Sequence, residues 1–158
     1  MAETQWLSEA EQRTWRKLVA VLMKLPAGLE GQLQRDADIS HFEYWVLALL
    51  SEAPDRAMRL SALAAQANSS LSRLSHVVTR LEKKGFVTRE PCPDSSRSML
   101  AVLSDNGYRK LVAAAPGHVE AVRSLVFEGL GVEELSDLDR ACDAILGRIG
   151  GPPVPPPR

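Results

Sequence analysis

Cysteine is scarce in this chain: Cys92 and Cys142 are the only two among 158 residues. Two are too few for a disulfide framework, and no Cys-x-x-Cys pair is present for zinc or redox work. The three histidines, His41, His76 and His118, lack His-x3-His or His/Cys spacing, so no metal site is expected. No apolar run approaches the ~20 residues that a membrane span needs, so no membrane partner is expected. Residues 1–9 carry acids and no apolar core, which does not fit a signal peptide. A reducing cytoplasm is the expected compartment. There is no nucleophile–base pair, no Gly-rich phosphate loop and no paired carboxylates, so neither an enzyme nor a cofactor is expected. Proline is less disruptive than its count of ten suggests, because half of it sits in the last seven residues.

What remains is a composition of 45% hydrophobic and 25% charged residues, which suits a globular chain with a core. The length fits one domain, or a small domain with dimer-forming arms. The net charge of −1 says nothing of nucleic acid by itself. Its distribution says more. Residues 56–100 hold eight basic and three acidic side chains, a local +5, which leaves −6 for the rest. A basic middle between acidic arms is the layout expected when one segment meets phosphate.

Periodicity and capping signals place the elements. Ser8 and Glu11 form a capping box before an apolar repeat that predicts a helix over residues 8–33, kinked or broken at Pro26. Ser40 and Glu43 form a second box, with Ile39 and Tyr44 as a hydrophobic staple. The helix they open should bury Phe42, Trp45, Val46, Leu49 and Leu50. Residues 57–59 are too few to assign. A short helix is expected over residues 61–67, with Leu60 and Leu63 inward. A longer one follows over 70–84, stopped by Gly85. Residues 86–91 and 99–103 read as strands of a hairpin around a polar loop. Ser104 and Asp105 cap a helix to about residue 129, bent near Pro116 and Gly117. A last helix carries the seam Leu135, Leu138, Cys142, Ile145 and Ile149. The Pro-rich end is expected to be disordered.

Short helix, turn, longer helix and hairpin make a winged helix-turn-helix in a mainly α chain. The longer helix has two faces. Leu71, Leu74, Val77, Val78 and Leu81 are placed to pack inward; Ser72, Arg73, His76, Thr79, Arg80 and Lys83 face out. That outward set has no acid, whereas a merely solvated face usually mixes signs. Double-stranded DNA gives a reason, since its major groove admits a helix whose N-terminal part meets base edges. Ser69, Ser70 and Ser72 are short hydrogen-bonding groups at that end. Arg73 can fork onto guanine; His76 can meet a base or a phosphate. Lys83 and Arg80 lie further along, where backbone contact is expected, although Arg80 is equally suited to an intramolecular salt bridge. Arg97, near the hairpin tip, can enter a narrow minor groove.

The residues Leu60-Ser-Ala-Leu-Ala-Ala, then Ser72-Arg-Leu-Ser-His-Val-Val-Thr-Arg-Leu-Glu-Lys-Lys-Gly-Phe-Val, then Arg97 and Val102-Leu-Ser-Asp-Asn-Gly, resemble the multiple-antibiotic-resistance regulator (MarR) family. The resemblance covers about residues 39–111. It implies an obligate homodimer whose first and last two helices interlock, with one winged helix per subunit on a roughly palindromic site. Family members usually repress transcription, and many release DNA on binding a small, often phenolic, ligand. The implied division is a dimerisation helix (1–38), a DNA-binding unit (39–103), dimerisation helices (104–149) and a tail (150–158). Two positions depart from the family pattern. Ser95 stands where an aspartate usually precedes the wing arginine by two, with Asp94 displaced by one, and Gly131 stands at the cap of the last helix.

In such relatives the first two helices border the ligand cleft, which makes Trp15, His41 and Trp45 candidate lining residues; core or interface packing is the alternative for both tryptophans. Cys92 lies beside the wing, away from the place where redox-sensing relatives carry cysteine. Cys142 is expected to pack as a small hydrophobe. The competing reading of the whole is a winged-helix module that docks on protein and not on DNA.

Overall fold

Two capping boxes set where the first helices of the computed structural model begin. It describes residues 4–93 and 95–150, with the backbone alone for residues 95–97. Helix α1 (Glu9–Ala37) starts at Ser8, whose backbone N–H donates to Glu11 Oε2 at 2.7 Å while its Oγ accepts from Glu11 N–H at 3.3 Å. Helix α2 (His41–Glu52) repeats the arrangement: Ser40 N–H donates to Glu43 Oε2 at 2.9 Å, and Ser40 Oγ accepts from Glu43 N–H at 3.0 Å. Each box satisfies N–H groups that the first turn of a helix leaves without partners.

Proline does not break α1. The helix continues through Pro26 and ends only at Asp38, whose φ of 50° is left-handed. The carbonyl that Pro26 deprives of a partner belongs to Leu22, on an exposed turn where water can take the lost bond. The same holds for Pro116, which lies inside a helix that continues to Val122.

After α2 come a 3-10 turn (Pro54–Arg56), strand β1 (Ala57–Arg59), helix α3 (Leu60–Gln66) and helix α4 (Leu71–Lys83). Strands β2 (Val87–Cys92) and β3 (Ser95–Leu103) form the wing. The three residues that were too short to assign pair antiparallel with β3, so the sheet has three strands in the order β1-β3-β2. Helix α5 (Asp105–Val122) runs into a π-helical turn (Arg123–Phe127), and helix α6 (Val132–Ile149) closes the described chain. In that π-helical turn Glu128 N–H reaches back to Arg123 O at 2.7 Å.

One core joins these elements. Leu33, Ile39, Val46, Leu47, Leu50, Leu63, Leu74, Val78 and Leu81 are all fully buried. Two expected members are missing. Trp45 is 41% exposed, and Leu47 takes the inward place on α2. Leu71, at the first position of α4, is 52% exposed, because the buried stripe begins at Leu74.

Two close approaches lock α4, the wing and α5 together. Gly85 (φ 71°) ends α4 in a Schellman motif, with Gly85 N–H on Glu82 O and Phe86 N–H on Leu81 O, both at 2.9 Å. Ser104 then caps α5 through Gly107 N–H at 2.9 Å and donates its hydroxyl to Gly85 O at 2.8 Å. Gly107 lies so near Phe86 that an added Cβ would stand 2.1 Å from its carbonyl oxygen. Backbone on both sides leaves little room to relax, so Gly107→Ala should cost at least about 1–3 kcal/mol in urea unfolding.

At the junction of α1, α2 and α5, His118 packs on Tyr44 (ring centroids 4.3 Å) and faces His41 (5.6 Å). His118 Nδ1 and Gln32 Oε1 are buried without a hydrogen-bond partner. Burial, then the charge of His41, lowers the pKa of His118; burial lowers that of His41 against the opposing pull of Glu30. The fold thus prefers both rings neutral. Their contribution is complete above the unfolded value of about 6.5 and is lost as pH falls through the lower folded values. The melting temperature should drop as pH is taken from about 7.5 to about 5.5, and His118→Asn should flatten that dependence.

Candidate nucleic-acid interface

The seating of α4 decides what its other side presents. Leu74, Val77, Val78 and Leu81 form one buried stripe, and Ser72, Arg73, His76, Thr79, Arg80 and Lys83 are all exposed. At 3.6 residues per turn, Ser72, His76, Thr79 and Lys83 lie opposite the stripe, and the two arginines lie on the flank toward α2. No acidic residue lies in this outward set. The N-terminus is capped by Ser70, whose Oγ accepts from Arg73 N–H at 3.2 Å. Ser69 is half-buried in the turn before it, with its hydroxyl on Ser70 O at 3.3 Å.

The arginines are not loose. The Arg73 guanidinium lies over the Phe42 ring, 4.7 Å from its centroid. Arg80 Nε donates to Glu43 Oε1 at 3.2 Å, and Lys84 Nζ stands 3.5 Å from Glu43 Oε2. Of the alternatives the sequence left open for Arg80, the salt bridge is thus present, with a partner 37 residues away. Its side chain still keeps 55% of its surface exposed. Arg73, His76 and Arg80, with Ser40, Phe42, Ser70, Ser72 and Glu30, line a cleft of about 550 Å³ beside the α4 N-terminus.

The wing is clamped to the same helix. Arg89 of β2 pairs with Glu82 and donates through Nη2 to Ser75 O (2.8 Å), Ser75 Oγ (3.3 Å) and Thr79 Oγ1 (3.1 Å). Sequence reasoning counted Arg89 only as one more basic residue. The signal that could have marked it is its place on a half-buried strand directly after α4. Arg97 belongs to β3 by its backbone, and its side chain lies outside the described residues, as does Asp94.

The three ligand-cleft candidates do not sit alike. Trp15 (54% exposed) lies on the outer half of α1. Neither it nor Trp45, 41% exposed, packs in the core. His41 is half-buried at the α1–α2–α5 junction, with its backbone N–H on Glu30 Oε2 at 2.7 Å. Cys92 is buried, and Cys142 is exposed on α6 along with the rest of its apolar seam. Among the described residues, no cluster of His, Cys, Asp or Glu is arranged to hold a metal ion, and no helix is long and apolar enough to cross a membrane.

The family model of MarR matches residues 39–99, the segment from the α2 capping box to the wing. Among solved structures, Sco3205, a MarR family transcriptional regulator from Streptomyces coelicolor in complex with DNA, is 43% identical. The match has a TM-score of 0.87 and covers 90% of this chain and 89% of that one. AbsC, a MarR family transcriptional regulator from the same organism, is 37% identical with a TM-score of 0.87, over 92% and 98% of the two chains. The HTH-type transcriptional regulator YfiV of Bacillus subtilis is 30% identical over 139 residues, 80% of this chain and 84% of YfiV. With its winged helix, its three-stranded sheet and similarity running nearly end to end, the chain belongs to the MarR family of transcription regulators.

Proposed function

We propose that this chain is a homodimeric, ligand-responsive repressor that inserts α4 of each subunit into successive major grooves of a roughly palindromic DNA site. The observation that carries this reading is the exposed, acid-free face of α4. A major groove accepts a helix of this width, and base edges are met mainly by its first turns. Ser69, Ser70, Ser72, Arg73 and His76 lie at that end. Lys83 and Arg80 run beside the phosphates, where contacts fix register without reading sequence. Arg97 takes the minor groove from the wing. The DNA complex of Sco3205 supports the choice of duplex DNA over a protein partner.

Dimerisation through residues 1–38 and 104–149 is supported by what those helices leave uncovered. Nothing on α6 is buried in the single chain, although Leu135, Leu138, Ile145 and Ile149 recur along it. The outer half of α1 exposes Trp15, Val21, Leu22 and Met23. Between the two runs an apolar groove of about 490 Å³, lined by Val21, Leu25, Leu125, Val126, Leu130 and Leu138, is open to solvent. Contiguous apolar surface on this scale favours a partner. A second copy satisfies it symmetrically and sets two reading helices one DNA turn apart, about 34–36 Å. The α1–α2–α5 junction, with His41 and the unpartnered His118 Nδ1 and Gln32 Oε1, joins arm to reading unit. A small phenolic ligand bound there would change the spacing of the two lobes. By reciprocity DNA would weaken that ligand by the same factor.

Sedimentation should give twice the 17.3 kDa chain mass, and Leu138→Arg should reduce both the dimer and DNA binding. In anisotropy titrations against a site selected from a random pool, the wild type should bind more tightly than about 10⁻⁶ M at physiological salt, and Arg73→Ala should weaken binding about tenfold or more. Equal affinities would remove the reading-helix assignment.

A further inference from the structure

We propose that Glu43, on the first turn of α2, is a positioning residue of the DNA-facing surface: it holds Arg80 as a charge-compensated donor at the edge of the reading helix. The inference rests on the DNA reading above. Only 4% of the Glu43 side chain is exposed. Closing the α2 cap needs one acceptor, and Oε2 fills that role for Ser40 N–H at 2.9 Å. The remaining contacts reach across the fold to the far end of α4. Oε1 accepts from Arg80 Nε at 3.2 Å, and Lys84 Nζ, itself donating to Asp38 O at 2.9 Å, stands 3.5 Å from Oε2. Burial alone would raise the carboxyl pKa. The Ser40 N–H, the Arg80 hydrogen bond and the charges of Lys84 and Arg80 outweigh it and hold the value below the ordinary carboxylate range, so the group is an anion at neutral pH.

The bond through Nε restrains the guanidinium, and over half of the side chain stays exposed. An arginine held this way donates to a phosphate at one register only. Its charge is already balanced, so the contact releases little counter-ion. Among the described residues, no carboxylate is ion-paired with Arg73 or Lys83, which leaves their charge uncompensated by comparison. Glu43 therefore separates the cations of α4 into those that add salt-sensitive affinity and one that sets register.

The test is the salt dependence of binding to a random-sequence duplex and to the selected site. Glu43→Gln keeps the side-chain shape and a capping-box acceptor. It should steepen the slope of log K against log salt by about 0.9, the increment for one more neutralised phosphate, and lower the preference for the selected site several-fold. Arg80→Gln alone leaves the buried Glu43 with Lys84 as its remaining ion-pair partner, so its fold is confirmed by thermal melting; it should leave the slope as in the wild type. The double variant Glu43→Gln/Arg80→Gln should return to it. A folded Glu43→Gln protein with the wild-type slope overturns the proposal. So does an Arg80→Gln protein whose slope is shallower by about 0.9, since Arg80 would then already be spent on phosphate. A wild type that binds no duplex at any salt overturns the DNA reading itself and is recognised before either variant is made.

Discussion

Everything that follows in this fold depends on how α4 is anchored. Four aliphatic side chains, Leu74, Val77, Val78 and Leu81, are buried at intervals of three, one and three residues. Each fully buried aliphatic side chain is worth roughly 1.5–3 kcal/mol, so rolling the helix to hide its polar side would cost several times that and bury cations without partners. The stripe therefore dictates, with little freedom, that Ser72, His76, Thr79 and Lys83 stand outward. Everything else refines this pose. Gly85 stops the helix, Arg89 sets the angle of the wing, and Glu43 ties the far end to α2.

Local signals in the sequence survive into the structure where the physics is local. Both Ser-x-x-Glu boxes close, Gly85 takes a positive φ, and the 3.6-residue repeat locates α4 to within a residue at each end. Neither Pro26 nor Pro116 ends its helix, for a common reason. Pro26 and Pro116 remove one hydrogen bond each on exposed turns of long helices, a loss that water repairs. Strand β1 is illegible from three residues, because its order comes entirely from pairing Ala57, Met58 and Arg59 with Val102, Ala101 and Leu100. Leu71 and Trp45 look like core by type, yet position on the helix governs: Leu71 falls just off the buried stripe of α4, and Trp45 lies nearly opposite the buried side of α2.

The candidate site was legible as a face but not as a network. Spacing alone gives the outward set of α4. It cannot give a carboxylate 37 residues upstream that holds Arg80, nor the aromatic ring of Phe42 under Arg73, since both depend on how α2 crosses α4. The side chain of Arg97 lies beyond what the structure describes. The apolar seams of α1 and α6 pose the opposite case. The pattern is plain in the sequence, but a single chain leaves it uncovered, and the proposed second subunit supplies the missing half of that packing.

The central claim is that the exposed side of α4 enters the major groove from two symmetric subunits. Methylation protection of guanine N7, an atom that lies in that groove, tests this most directly on the selected site. The account predicts two patches of protected N7 about one helical turn apart, both lost with Arg73→Ala. Tight binding with every N7 left reactive, or protection confined to one patch, would contradict it.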